Sequence, residues 1–335
     1  MAKSPAIWGY SQFDLTNIDF QKSLTDIQVR RINLMFNSEL SSNVRFLTDF
    51  EFEDGADISE SSVQGAIKIS QTFLEYSFSP VFQIRAGKFL TDFGLYNKIH
   101  DASPSYYPVD APVIYRPLSF LDNDTGKNAN HQRLFGKYMA GVEFLGNINT
   151  DTISSQIDYS VGIGFGRWET INGVYYNKNF SVSGRLKYRP EWLSGIQVGT
   201  SYFLEDNPVG IISSKDEWVH TVGLDFQYDK SNVLVQLEGI MTLLEDKADN
   251  RQVSGLFYLL MGYTLYDRLT PYTVLTTVFK NVGNVRGNKN TPIIGLNYNV
   301  SKGVYLKTEA QFLGLSNNNI GQHDAVYKIS LAVVF

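Results

Sequence analysis

Val326-Tyr327-Lys328-Ile329-Ser330-Leu331-Ala332-Val333-Val334-Phe335 closes the chain. Tyr327, Ile329, Leu331, Val333 and the terminal Phe335 share one face, with Lys328, Ser330 and Ala332 on the other. An extended strand points successive side chains to opposite sides, so this segment has one apolar wall and one more polar wall. The same period recurs upstream. Ile157, Tyr159, Val161, Ile163 and Phe165 alternate with Gln156, Asp158, Ser160, Gly162 and Gly164. Val182, Leu186 and Tyr188 alternate with Ser183, Arg185 and Lys187, and Val222, Leu224 and Phe226 with Gly223, Asp225 and Gln227. Leu306, Thr308 and Ala310 alternate with Lys307, Glu309 and Gln311.

Alternation alone fits a soluble sandwich as well as a membrane barrel; length and connectors separate them. These segments run about 9–13 residues, enough to cross a bilayer at a tilt of roughly 45°, whereas soluble strands peak near 5–6. The connectors alternate between tight and long. Tight ones fall at Leu40–Asn43, Ser79-Pro80, Gly146–Thr152, Pro190–Ser194, Asp229–Ser231, Asp267–Thr270 and Ser301-Lys302. Long ones fall at Leu15–Asp26, Asp54–Val63, Leu90–Phe135, Gly166–Lys178, Glu205–Asp216, Leu244–Gln252, Asn281–Asn290 and Gly314–His323. Short periplasmic turns and long outer loops are the layout of a bacterial outer-membrane barrel. The expected fold is therefore all-β: one antiparallel transmembrane barrel of about sixteen strands over residues 1–335, with no interdomain linker.

One register needs help. Between Gly65 and Phe78, Lys68 and Glu75 cannot both face inward without a bulge, and a Lys at mid-depth in lipid costs roughly 2–4 kcal/mol. A bulge or an interfacial position is expected there.

Composition agrees. The chain has 22 Phe, 20 Tyr and no Cys, with 29 Lys+Arg against 34 Asp+Glu. Without cysteine there is no disulfide, thiolate nucleophile or Cys-based metal site. No basic stripe points to nucleic acid. The longest apolar stretch, Leu256 to Met261, is far too short for a spanning helix. Met1-Ala2-Lys3-Ser4-Pro5 has no apolar leader, so the chain reads as a form whose export signal has been removed. The alternation ending in Phe335 resembles the C-terminal signal read by the outer-membrane assembly machinery, with Tyr327, Ile329, Leu331 and Val333 as its other members.

Phe73-Leu74-Glu75-Tyr76-Ser77-Phe78-Ser79-Pro80-Val81-Phe82-Gln83-Ile84-Arg85-Ala86-Gly87-Lys88-Phe89 is followed by Phe93-Gly94-Leu95 and later by Tyr115-Arg116-Pro117. This stretch resembles the phosphate-selective porin (porin O and P) family, in which such a hairpin ends in Gly-Lys-Phe and a Pro-Phe-Gly turn. The resemblance implies a sixteen-stranded, usually trimeric channel whose long third loop folds into the lumen. Asp92 stands where the family usually has Pro. The dense arginine ladder and lysine cluster of a phosphate channel are missing, so weak selectivity is expected rather than a phosphate- or anion-specific channel.

Strand parity turns Arg31, Arg85, Arg185, Lys307 and Lys328 inward together with Asp49, Asp158, Asp225, Glu238 and Glu309. Arg45, Lys187 and Arg189 fall nearer the periplasmic mouth. Such charges focus the field on a passing ion; alternatively they pair and only keep the lumen hydrated. The loop Leu90–Phe135 is far longer than its neighbours, and a loop of that size is usually functional. It reads as the constriction, carrying Arg116 and the acids Asp101, Asp110, Asp122 and Asp124. Arg85 and Arg185 are expected to face loop acids across a gap of about 8 Å, where opposed charges interact by only about 2 kcal/mol. Gly162 and Gly164 are expected to make room for the loop.

Catalytic signals are weak. Gly162–Gly166 lacks the spacing and helix of a dinucleotide turn. Asp122-Asn123-Asp124-Thr125-Gly126 lacks the later Glu of a calcium loop. His100, His131, His220 and His323 are scattered, and His100-Asp101 has no evident Ser partner. The sequence therefore points away from an enzyme and toward a passive outer-membrane diffusion channel with no cofactor or metal. Its expected partners are outer-membrane lipid and lipopolysaccharide, the barrel assembly machinery, further copies of itself in a trimer, and small polar solutes or ions. The alternative is a barrel serving as a sleeve for a protein such as an electron-conduit cytochrome.

Overall fold

The computed structural model describes residues 5–18, 25–53, 66–99, 103–112, 115, 118–121, 128–132, 134–150, 155–166, 169–171, 174–176, 180–206, 218–245, 251–282, 285–313 and 324–335. The strands are β1 Ala6–Ile18, β2 Thr25–Glu39, β3 Val44–Glu53, β4 Ala66–Ser79, β5 Phe82–Leu90, β6 Leu118–Leu121 and β7 Asn128–Gln132. They continue with β8 Tyr138–Thr150, β9 Ser155–Phe165, β10 Glu169–Ile171, β11 Val174–Tyr176, β12 Phe180–Pro190 and β13 Ile196–Asp206. The last seven are β14 Trp218–Lys230, β15 Val233–Glu245, β16 Arg251–Tyr263, β17 Leu269–Val282, β18 Val285–Ser301, β19 Val304–Leu313 and β20 Asp324–Val334.

Sixteen of these form one closed antiparallel barrel. It omits only β6–β7 and β10–β11, two small hairpins within the long loops. Closure falls between β20 and β1, with Leu331 opposite Phe13 and Ile329 opposite Leu15. The terminal residue extends that ladder, since the Phe335 amide donates to the Gly9 carbonyl at 3.0 Å and the Gly9 amide returns to Phe335 at 2.8 Å. Closure matters because a bilayer offers no water to an unpaired strand edge.

The tight turns carry their own chemistry. Ser231 and Asn232 both take positive φ, 53° and 67°, which gives a two-residue turn whose twist suits the β14–β15 hairpin. Aromatic side chains gather outside near another turn. Phe78 stacks on Phe82 at 5.4 Å, and Phe82 on Phe144 at 6.3 Å, as in an interfacial girdle.

The bulge expected in β4 is present. Asp49 pairs with Gln71 and Phe50 with Ile69, so Ser70 is skipped. Ser70 and Glu75 are thereby both buried inside, while Ile67, Ile69, Leu74 and Tyr76 are exposed outside. One bulge thus puts Lys68 on the inward parity of Ser70 and keeps its charge out of lipid.

Two connector assignments need correction. The stretch Asn281–Asn290 is not a long loop: β17 and β18 pair as far as Val282 opposite Val285. Likewise Gly146–Thr150 is strand, the end of β8 next to its short turn into β9. Polar residues at period two, such as Asn288 and Asn290, imitate a loop in sequence while pairing within a strand.

Candidate functional site: a lumen filled by its third loop

Of the segment between β5 and β8, residues 92–96, 106–111, 115, 134 and 135 lie inside the barrel. They are held by polar groups from β1, β9, β13–β15, β19 and β20. Ser160 of β9 donates to Asp92 at 3.0 Å, and Ser201 of β13 accepts the Gly94 amide at 3.0 Å. Thr221 of β14 donates to the Leu134 carbonyl at 2.8 Å. The Tyr115 hydroxyl donates to Glu238 of β15 at 2.7 Å and accepts the Tyr96 amide at 2.9 Å. On the far side, Lys307 of β19 donates to the carbonyls of Tyr106 at 2.5 Å and Pro108 at 3.0 Å. Glu309 accepts the Val109 amide at 2.9 Å, Gln12 of β1 donates to the Val109 carbonyl at 3.0 Å, and Lys328 of β20 pairs with Asp110.

Between these anchors the contact is apolar. Phe93 stacks on Phe135 at 4.1 Å, Tyr115 packs edge-on to Phe135 at 6.0 Å, and all three are buried. They meet Phe203, Ile240, Leu256, Tyr258, Leu260 and Val274, which point inward from β13 and β15–β17. Each large side chain so covered contributes about 1.5–3 kcal/mol over exposure. This explains the run Leu256–Met261, which does not alternate. In β16 Leu256, Tyr258 and Leu260 meet the loop while Phe257 and Met261 are exposed to lipid, so both faces are apolar. A strand covered on both sides reads as a continuous hydrophobic run. That run was the signal in the sequence for the loop's resting place.

Glycines permit the closest approaches. At Gly94, φ is +63° and a Cβ would stand 1.9 Å from a Glu238 carboxylate oxygen. At Gly87, in the Gly-Lys-Phe motif, φ is +138° and a Cβ would stand 2.3 Å from the Thr72 carbonyl. Gly162 and Gly164 do not make room for the loop itself. Gly162 faces Met139 and Phe89 at the loop's base, and Gly164 approaches the Ala140 backbone. Glycines under the loop are Gly223, against Phe93, and Gly262, against Tyr107.

Cross-strand register brings the inward charges together. Arg85 lies opposite both Glu75 and Glu143, bonds them at 2.7 and 2.8 Å, and sits 4.3 Å over the Phe73 ring. Arg31 meets Glu51 at 3.0 Å, and Asn33 donates to Asp49 at 3.1 Å. Asp225 stands opposite Glu238, a like-charge pairing that destabilises a sheet. Arg185 binds Asp225 through two nitrogens at 2.9 and 3.1 Å, and the Tyr115 hydroxyl serves Glu238. The expected gap of about 8 Å is therefore absent. Arg185 reaches the loop acid Asp92 at 3.6 Å, and the partners of Arg85 are wall acids. Arg31, Arg85, Arg185, Asp225, Lys307 and Glu309 are all under 10% exposed, Arg185, Lys307 and Glu309 in direct contact with the loop.

Asp92, which departs from the family pattern, is thus an anchor. It also pairs with Lys98 at 3.0 Å, and Lys98 reaches Glu143 at 3.3 Å. Burial raises the Asp92 carboxyl, but Lys98 and Arg185 outweigh it and hold the group below the usual carboxylate range. Arg116, Asp101, Asp122, Asp124, His100 and His323 lie outside the described residues, as does the stretch 122–126.

Below the loop, toward the short turns, a polar cavity of about 500 Å³ opens between Asp92 and Lys98 above and Asp158 and Lys187 on the wall. Asp158 pairs with Lys187 at 2.7 Å and Arg189 at 2.5 Å. On the last strand Ile329, Leu331 and Phe335 are exposed outward, Tyr327 and Val333 are half-buried, and Ser330 is buried inside.

A closed sixteen-stranded antiparallel barrel with its third loop in the lumen is the architecture of outer-membrane porins, and this chain has that transmembrane-barrel fold. The family described as phosphate-selective porin O and P matches residues 4–99, the part that carries the Gly-Lys-Phe hairpin and Phe93-Gly94. An uncharacterized protein of Aquifex aeolicus (strain VF5) is 28% identical over 127 residues, 37% of this chain and 29% of that protein, so the match spans less than a third of the relative's length. Among solved structures, OmpF of Salmonella typhi in complex with daunomycin superposes with a TM-score of 0.67, covering 99% of this chain and 97% of that one at 11% identity. An anion-selective porin from Comamonas acidovorans gives 0.65, with complete coverage of both chains at 11% identity. At such identities the structural likeness speaks for the fold alone.

Proposed function

We propose that the barrel passes small hydrophilic solutes and ions by passive diffusion with weak selectivity, and that the segment Leu90–Phe135 is its constriction. The observation carrying this reading is the loop itself, bonded to β9, β13, β15, β19 and β20 by Ser160, Ser201, Glu238, Lys307 and Lys328. A segment fixed in this way narrows the lumen without depending on a partner. Weak selectivity follows from pairing. Arg31, Arg85 and Arg185 each meet a carboxylate at 2.7–3.0 Å, so little unbalanced charge faces a passing ion.

Passage, not catalysis, is the activity proposed. A sleeve around another protein would need the volume that Phe93, Tyr115 and Phe135 occupy. The partners proposed are lipid and lipopolysaccharide outside, the assembly machinery during insertion, and further copies of the chain in a trimer. The test is single-channel recording of the purified barrel in a planar bilayer. Ohmic steps with a reversal potential near zero in a potassium chloride gradient are expected. Silence would overturn the channel reading, and a strongly anion-selective current blocked by micromolar phosphate would overturn weak selectivity.

A further inference from the structure

Among the described residues, the ion pairs with both partners accessible gather in one place. Among the described ion pairs, those with both side chains 22–39% exposed are Asp92–Lys98, Asp158–Lys187 and Asp158–Arg189. Asp92, Lys98, Asp158 and Lys187 line the cavity of about 500 Å³ under the loop, and Arg189 lines an adjoining one of about 430 Å³. The two cavities share Gln197 and Gln227, forming a single vestibule on the side of the short turns. Its volume lies within the range of about 300–1,000 Å³ typical of small-molecule sites.

The neutral lining is amide. Gln83 and Gln197 make no side-chain hydrogen bond among the described residues, so their donors and acceptors remain for a solute or water. Gln227 accepts the Gln236 amide at 3.0 Å, and Gln236 accepts the hydroxyl of Tyr96 from the loop. The vestibule wall is thereby tied to the constriction.

We propose that this vestibule is a binding subsite for small zwitterionic solutes. The proposal deepens the channel reading and rests on it for the solute's onward passage. A simple anion entering here meets Lys98 and Lys187 but also the carboxylates of Asp92 and Asp158. A simple cation meets the reverse. A solute carrying both charges places its carboxylate at Lys98 or Lys187 and its ammonium at Asp92 or Asp158, leaving neither partner against a like charge. Gln83 and Gln197 take its remaining polar groups.

The experiment uses the whole barrel in detergent micelles at low salt, titrated by saturation-transfer NMR with 4-aminobutyrate, butyrate and butylammonium. Binding of 4-aminobutyrate at least about fivefold tighter than either singly charged analogue is expected, since each analogue lacks one charge-assisted hydrogen bond. Asp158→Asn and Lys187→Gln should each weaken it by about tenfold, the usual effect of losing one such bond. Gln197→Leu should weaken it less, and Lys302→Gln, on a different turn, should leave it unchanged. Equal affinity for butyrate would overturn the proposal in favour of an anion site. Unchanged binding in Lys187→Gln and Gln197→Leu would overturn the location. Ohmic conductance without 4-aminobutyrate binding removes the subsite and leaves the channel; binding without conductance removes the channel and leaves the subsite.

Discussion

Lys307 donates its ammonium to the main-chain carbonyl of Tyr106 at 2.5 Å, fastening the loop to a strand 201 residues further along the chain. The same nitrogen reaches the Pro108 carbonyl at 3.0 Å and stands 4.8 Å over the Tyr106 ring. Lys307 thus shares this side of the loop with Gln12, Glu309 and Lys328. Lys307→Met keeps the stem's packing and removes the donor, leaving two carbonyls without it. Hydrogen bonds to charged groups contribute about 1.5–3 kcal/mol, so lower thermal stability is expected. Single-channel traces should show larger or noisier steps as the loop loosens on that side. Traces and melting curves matching the parent would mean that the contact holds nothing.

At Gly94 the chain turns with φ of +63° directly under Glu238. Alanine there meets both a left-handed backbone penalty of order 1–3 kcal/mol and a carboxylate oxygen 1.9 Å from its Cβ. Gly94→Ala should lower the melting temperature of the barrel and disturb the Tyr115–Glu238 bond. Gly239→Ala, where no atom lies within 4 Å of the added carbon, is the matched control. Equal stability of the two variants would contradict the packing described here.

The Asp92 carboxyl is held below its ordinary range. A depressed folded-state value means that this group's stabilisation is present above the unfolded value, about pH 4, and is lost as pH falls through the folded value. Stability supplied by the Asp92 anchor should therefore be constant from pH 8 down to about pH 4 and fall only below that. Melting curves across this range compare the parent with Asp92→Asn. The variant should be less stable at neutral pH, with the difference shrinking in strong acid. A difference that grows on acidification would reverse the sign and sink the assignment.

Phe335 is 56% exposed on the outer surface, yet its backbone pairs with Gly9. If its ring belongs to an assembly signal with Tyr327, Ile329, Leu331 and Val333, Phe335→Asp should lower the amount of barrel inserted in the outer membrane. Ser330→Asn, on the buried face, should matter less for insertion. Immunoblots of membrane fractions decide it; normal insertion of Phe335→Asp would leave the ring no role in assembly.

Alternation in segments such as Val326–Phe335 and Ser155–Phe165 determined the parity of the charges, and segment length with the sorting of tight and long connectors determined the barrel and its strand count. Period two follows from backbone geometry and needs no partner to be seen. The bulge was legible as well, because Lys68 and Glu75 could not share a parity without one. Where Arg85 and Arg185 find their partners was decided only in three dimensions. Glu75 and Glu143 come to Arg85 through strand register, and Asp92 comes to Arg185 through a loop whose path no local pattern encodes. The long hairpin through Asn288 and Asn290 looked like a loop because its polar residues give no alternating apolar face, while backbone pairing with β17 makes it strand. The loop's resting place against β16 was present in the sequence only as the unalternating run Leu256–Met261. Its meaning depended on what covers the inner face of β16, and the covering residues, Tyr96 and Phe135 among them, lie more than a hundred positions away in the chain.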